Sequence, residues 1–224
     1  MHPLTSAENP NGWRRILLRM AVTVLILGIW FWTQTLIGTR PAPASGLGDT
    51  LHNLTAGWNA FFYRTPAAAN ALLISSSALI DLMALFLLFS WLFGPSIRPF
   101  FGLAVLMALR QVLQSLCSLP APPNMIWHYP GFPSLLVTYN VANDFFFSGH
   151  TAIAVFSALE IAQLRKLWLT AIAVVVVLFE VAAVIVLRAH YTMDIFTGLL
   201  AALWVAQMSR DVAPKIDRLF PRTN

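Results

Sequence analysis

The sequence predicts an all-α, polytopic membrane protein built as a bundle of six transmembrane helices. Three observations lead there. Hydrophobic residues make up 58% of the 224-residue chain and charged residues 10%, against roughly 25% charged in a soluble domain, and the mean hydropathy is +0.71. Six separate apolar runs each approach the ~20 residues that a helix needs to cross the hydrocarbon core. Lys and Arg are distributed unevenly among the segments that join those runs.

Residues 1–15 read as a short polar tail on the cytoplasmic side. Arg14, Arg15 and Arg19 lead into the first run, 16–37, and Ala42-Pro43-Ala44 follows in the manner of a cleavage site. That run exceeds the 7–15 apolar residues of a secretory signal, so an uncleaved first helix is expected. Further runs cover about 70–93, 100–117, 148–164, 167–187 and 191–208. The breaks at Gly94-Pro95 and Leu164-Arg165-Lys166 leave only short turns, so runs two and three, and runs four and five, pair as antiparallel hairpins. The longer connections are 38–69 and 118–147, the second rich in proline and aromatics and without helical periodicity. The membrane domain is therefore expected at 16–209, with a cytoplasmic tail at 210–224.

With the N-terminus inside, ten Lys and Arg fall on the inner side and four on the outer side, Arg40, Arg64, Arg110 and Arg188. That excess supports cytoplasmic termini under the positive-inside rule. The net charge of +5 is thus assigned to the inner headgroups. No basic stripe interleaved with stacking aromatics points to nucleic acid. The single cysteine, Cys117, rules out an intrachain disulfide and a cysteine-cluster metal site.

Two stretches carry the chemistry. One is Asn143-Asp144-Phe145-Phe146-Phe147-Ser148-Gly149-His150-Thr151-Ala152, and the other is Arg188-Ala189-His190-Tyr191-Thr192-Met193-Asp194. Each sets ionisable groups at the edge of hydrocarbon, where a charge costs about 2.5–3.5 kcal/mol and marks a candidate functional site. His150 opens the fourth run from the outer side, and His190 closes the fifth on that side. The topology therefore brings the two together.

His190 and Asp194 are four apart and share a helix face, so the carboxylate is expected to orient the imidazole and stabilise its positive charge. His150, at a helix start, has different surroundings, and that difference separates nucleophile from acid. The amides of Ser148 and Gly149 are expected to cradle an anion at the helix N-terminus. Arg110 and Arg188 are candidate phosphate ligands by charge, and Tyr191 joins the candidate substrate-binding set.

Each feature also has a plain structural reading. Ser-Gly-His alone suits a helix cap, and Arg110 can snorkel to the interface. Asp81, Glu160 and Glu180 lie mid-span and are expected in helix–helix hydrogen bonds, with a catalytic role as the other option. Trp127, Tyr129, Phe132, Tyr139 and Phe145 to Phe147 suit an interfacial aromatic belt or a cage for a quaternary ammonium. His52 and His128 give no signal. Two histidines with Asp194 resemble a zinc set, but no surrounding carboxylate cluster supports it. No metal and no cofactor are expected.

At these residues the chain resembles the lipid phosphatase/phosphotransferase (PAP2-like) superfamily. It is closest to the sphingomyelin synthase-like branch that includes plant phosphatidylcholine:diacylglycerol cholinephosphotransferases. The likeness runs from about residue 70 to 205. It is carried by Phe-Phe-Ser148-Gly149-His150, by His190-Tyr191-Thr192-x-Asp194, and by Arg110 followed by Ser118-Leu119-Pro120-Ala121-Pro122. The resemblance implies six helices and a catalytic triad in which His190 is the nucleophile, Asp194 assists it and His150 handles the leaving-group proton.

The chain departs from simple lipid phosphatases in lacking a Lys-x6-Arg-Pro string, and it has Ala183-Val184 where they carry Ser-Arg. Two arginines suit a diester, with one phosphate charge, better than a monoester. The expected activity is therefore transfer of a phospholipid headgroup, phosphocholine above all, to diacylglycerol or ceramide through a phosphohistidine, with the site on the outer side. Residues 119–143 hold no acid, which weighs against ceramide. The alternatives are a lipid or polyprenyl phosphate phosphatase and a non-enzymatic lipid-binding protein.

Overall fold

The computed structural model describes residues 47–117, 119–137, 139 and 145–219, with isolated positions in the first apolar run. Most of the predicted first span, the N-terminal tail, the last five residues of the C-terminal tail, Arg40, Ser118 and the Asn143-Asp144 pair lie outside the described residues. The chain divides into two units, Met1–Gly48 and Asp49–Asn224. The second unit carries both histidines of the candidate site and the helices around them.

Its helices are α1 (Thr50–Leu54), α2 (Ala56–Arg64), α3 (Pro66–Leu92), α4 (Arg98–Leu116), α5 (Gly149–Ala162), α6 (Leu167–Val186) and α7 (Thr192–Leu219). Among the described residues there is no strand. Four helices, α3, α4, α6 and α7, are long and apolar enough to cross a membrane, which fits a multi-pass membrane protein. Local chemistry explains their ends. Pro66 opens α3 where a missing N–H costs nothing, and Gly94-Pro95 lies just beyond its last turn. Arg165 takes a left-handed φ of 54° in the turn between α5 and α6.

Several features differ from the sequence expectation. The connection 38–69 carries two short helices, α1 and α2, because Asp49 caps α1 by accepting from the amides of Leu51 and His52. The fourth predicted span forms only the 14 residues of α5. That is about 21 Å at 1.5 Å per residue, short of the ~30 Å core. Nor does its composition reflect lipid contact, for nine of its 14 residues are buried. It is the central helix, packed against α3, α4, α6 and α7.

Small residues permit that central packing. The ring of Phe156 lies where a Cβ on Gly102 of α4 would stand, and a Cβ on Gly198 of α7 would fall 2.6 Å from the Ser148 carbonyl. Phe147, Phe156, Leu87, Leu106, Ala202 and Val205 fill the space around α5.

The intramembrane carboxylates make structural bonds. Glu160 on α5 pairs with Arg98 on α4 at 2.6 Å, and Glu180 on α6 accepts from Ser76 on α3 at 2.6 Å. Asp81 holds the 134–136 loop through Ser134 and the amides of Leu135 and Leu136. The far end of α7 continues past the predicted boundary at 209 and is tied to the α3–α4 turn, where Asp217 accepts from Ser96 and from the Ile97 amide.

Candidate active site

The site is built at the start of α5. Phe147 is fully buried with φ 73°, a conformation that costs a non-glycine residue about 1–2 kcal/mol. The bend delivers Ser148 as the cap. Its hydroxyl accepts from the amide and the hydroxyl of Thr151, and its own amide donates to Asp194 O at 3.0 Å. The amides of Gly149 and His150 therefore stand at the helix start without an intrahelical acceptor. Glycine suits position 149, since an added Cβ would come 3.1 Å from Arg110 Nε. The guanidinium lies directly over the helix start.

A cavity of about 180 Å³ opens there. Arg110, Gly149, His150, His190 and Trp127 form its polar and aromatic wall. Two stretches 40 residues apart have thus been brought into one cavity. The His150 ring is buried and meets Trp127 edge to face at a centroid distance of 5.2 Å. Its Nε2 has no hydrogen-bond partner among the described residues.

His190 is held differently. Its Nδ1 lies 2.7 Å from Phe145 O. A carbonyl only accepts, so Nδ1 carries the proton and the neutral ring keeps its basic lone pair on Nε2. Asp194, in the first turn of α7, is fully buried. Its Oδ2 accepts from the Tyr191 amide at 2.9 Å and stands 3.9 Å from His190 Nδ1. That is too long for a hydrogen bond and close enough for a strong field. The sequence expectation of a shared helix face is not met, because His190 lies in the turn before α7. The carboxylate stands beside the ring, and the ring is oriented by a main-chain carbonyl.

The remaining candidates fall outside the cavity wall. Ser148 is fully buried beneath it as the cap. Tyr191 is buried against His52, with ring centroids 5.6 Å apart. Arg188, with φ 54°, turns its guanidinium to the carbonyls of Pro123 at 2.7 Å and His52 at 3.3 Å. It is spent on holding the turn between α6 and α7.

Sequence reasoning passed over several residues here. His52 is buried and its Nε2 donates to His190 O at 3.0 Å. Asp49 accepts from the amide and the hydroxyl of Thr192 at 2.6 and 2.7 Å. Burial pushes its carboxyl up, but the bonds from Thr192 and from the His52 amide outweigh this and hold it below the ordinary carboxylate range. Asn59 donates to Val186 O. Nothing in the residue types of the connection 38–69 singles these three out, for polar side chains are frequent throughout it.

Among the described residues no three His, Cys, Asp or Glu side chains gather as a metal-binding group. The arrangement suits a phosphate instead. Helix-start amides and a guanidinium face a cavity where one imidazole offers a lone pair and a second can exchange a proton.

No curated protein and no solved structure matches the chain. Residues 49–211, from the cap of α1 to the later turns of α7, match the family described as AtPDCT1/2. That segment includes every candidate residue of the cavity and most of the chain, so the protein belongs to the phosphatidylcholine:diacylglycerol cholinephosphotransferase family.

Proposed function

We propose that the protein moves phosphocholine from phosphatidylcholine to a lipid alcohol, diacylglycerol in the first instance, through a phosphohistidine on His190. The observation that carries the reading is the shared cavity, with both imidazoles and Arg110 in its wall at the N-terminus of α5. Family membership supports the headgroup and the acceptor. The frame is a PAP2-like bundle of six helices, the first of them the run 16–37, with α5 enclosed by the others. Both termini are cytoplasmic and the cavity is on the outer side, a sidedness supported by the distribution of Lys and Arg.

The phosphate binds with its oxygens against Arg110 and the amides of Gly149 and His150, where helix dipole and guanidinium favour an anion. His190 Nε2 attacks phosphorus while Nδ1–H stays on Phe145 O. The P–O bond to the glycerol oxygen breaks, and protonated His150 gives its Nε2 proton to that oxygen, releasing diacylglycerol. The Asp194 carboxylate offsets the positive charge that develops on the His190 ring. In the second half His150 takes the hydroxyl proton of the acceptor lipid, the alkoxide oxygen attacks phosphorus and the Nε2–P bond breaks. Fixed donors aimed at the equatorial oxygens stabilise both transition states. Water reaching the intermediate would instead release phosphocholine, so exclusion of water separates a transferase from a hydrolase.

The test is incubation of the purified protein with headgroup-labelled phosphatidylcholine and either unlabelled diacylglycerol or ceramide. With a diacylglycerol whose acyl chains differ from those of the donor, label should appear in phosphatidylcholine carrying the acceptor's chains, and label trapped on protein should vanish in His190→Ala. Release of inorganic phosphate from lipid monoesters without lipid-to-lipid transfer would establish a phosphatase, and activity persisting in both His150→Ala and His190→Ala would refute the mechanism.

A further inference from the structure

The turn from residue 187 to 191 carries His190 between two long helices. Its amides bond back to α6 and α7, while the carbonyls of Leu187 and His190 and the flanking Val186 and Thr192 bond to other segments. Val186 O accepts from Asn59, and Leu187 O accepts from the Ile126 amide at 2.8 Å. His190 O accepts from His52 Nε2 at 3.0 Å. The Thr192 amide and hydroxyl both donate to Asp49, and the Arg188 guanidinium donates back to His52 O. Three of the side chains in this set, Asp49, His52 and Asn59, come from one short stretch at α1 and α2.

We infer that α1 and α2 form a strap that sets the position of His190, and that His52 is its principal positioning residue. The assignment rests on the proposed role of His190 and says which residues make that role effective. Two bonds on His190 bear on its aim. Its ring is turned by Phe145 O through Nδ1, and its main chain is held by His52 through the carbonyl. The first bond sets the direction of Nε2 and the second sets its distance from a phosphorus atom held at α5. His52 touches no reacting atom. Its effect is on the near-attack geometry of His190, where a displacement of about 1 Å costs on the order of a hundredfold in rate.

A positioning residue of this kind governs turnover more than substrate binding, because the phosphate is gripped by Arg110 and α5 on the other wall. His52→Ala should lower kcat about tenfold to a hundredfold with KM within about twofold of wild type. His52→Gln keeps an amide N–H at similar reach and should recover kcat to within about threefold. His52→Asn is polar but too short to reach, and should behave as His52→Ala, so it supplies the loss arm if the alanine variant does not fold. Each variant is assayed as full-length protein with labelled phosphatidylcholine and diacylglycerol, beside its thermal midpoint. The inference is overturned if the variants lacking the bond keep wild-type kcat, or if a folded His52→Gln loses as much as His52→Asn. A wild-type protein that transfers no headgroup would overturn the functional reading beneath it. An active wild type with full turnover in His52→Ala overturns the strap alone.

Discussion

His190 Nδ1–H donates a hydrogen bond to the carbonyl of Phe145, 2.7 Å away. The main-chain carbonyl only accepts, so it selects the Nδ1–H tautomer of the neutral ring. Asp194, at 3.9 Å, is left to act through its field and by holding the Tyr191 amide. Asp194→Asn keeps an acceptor for that amide. The expected loss in kcat is about tenfold to a hundredfold, as for other outer partners of a working histidine. It should fall short of the ~10⁴-fold loss seen when a carboxylate bonded directly to a catalytic imidazole becomes an amide. Steady-state rates of the variant decide between the two, and a 10⁴-fold loss would mean that Asp194 takes over the Nδ1 proton during turnover.

The crossing of α5 and α7 is set by Gly198. A Cβ there would stand 2.6 Å from the Ser148 carbonyl, which is backbone and cannot swing aside. Gly198→Ala should push the start of α5 away from α7 and cost about 1–3 kcal/mol, the usual penalty of overpacking. Since Ser148 caps the helix that bears His150, activity should fall along with the thermal midpoint in detergent. A variant with wild-type midpoint and rate would show that the two helices separate freely.

Asp49 gives the strap a pH dependence of known sign. Bonds from Thr192 and His52 hold its carboxyl below the ordinary range, so the folded state binds its proton less readily than the unfolded chain. The stabilisation is complete above the unfolded value, about pH 4, and is lost as pH falls from there through the lower folded value. The difference in thermal midpoint between wild type and Asp49→Asn should therefore be constant from neutral pH to about pH 5 and shrink below about pH 4. A difference that grew on acidification would reverse the assignment.

Cys117 provides a test of sidedness. It is the single cysteine, is exposed, and lies just past the last residue of α4, on the side where the cavity is proposed to open. In intact cells a membrane-impermeant maleimide should label the wild-type protein and fail to label Cys117→Ser. Labelling only after the cells are opened would invert the proposed orientation.

Much of the fold was legible because lipid imposes a simple rule on sequence. A helix that faces hydrocarbon must be apolar for about 20 residues, and α3, α4, α6 and α7 obey it. The fate of Glu160 and Glu180 in helix–helix bonds came from the same rule, since an unpaired intramembrane charge is too costly to keep. α5 misleads for an instructive reason. It is apolar because protein surrounds it, and composition does not distinguish burial in protein from burial in lipid. Hydropathy therefore extended it to a full span, while the structure ends it at Ala162.

At the site, local spacing was readable in part and contact across the fold was not. Ser148, Gly149 and His150 declared a helix start. The spacing of His190 and Asp194 put the two side by side, but His190 lies in the turn before α7 and not on a helix face shared with Asp194. Phe145 O is a main-chain atom that any residue could supply, so no residue type announces it. His52 lies 138 positions from the carbonyl it binds, and Arg188 read as a phosphate ligand only because charge is visible in sequence and direction is not.

The amino-acid sequence by itself determined an apolar, all-helical chain with two histidine-bearing helix ends on one side, because periodicity, length and charge act locally. Which atom holds each imidazole, and which arginine reaches the cavity, was decided only by the tertiary structure. Hydrogen bonds depend on distances of a few ångströms between segments far apart in the chain, and only packing around α5 sets those distances.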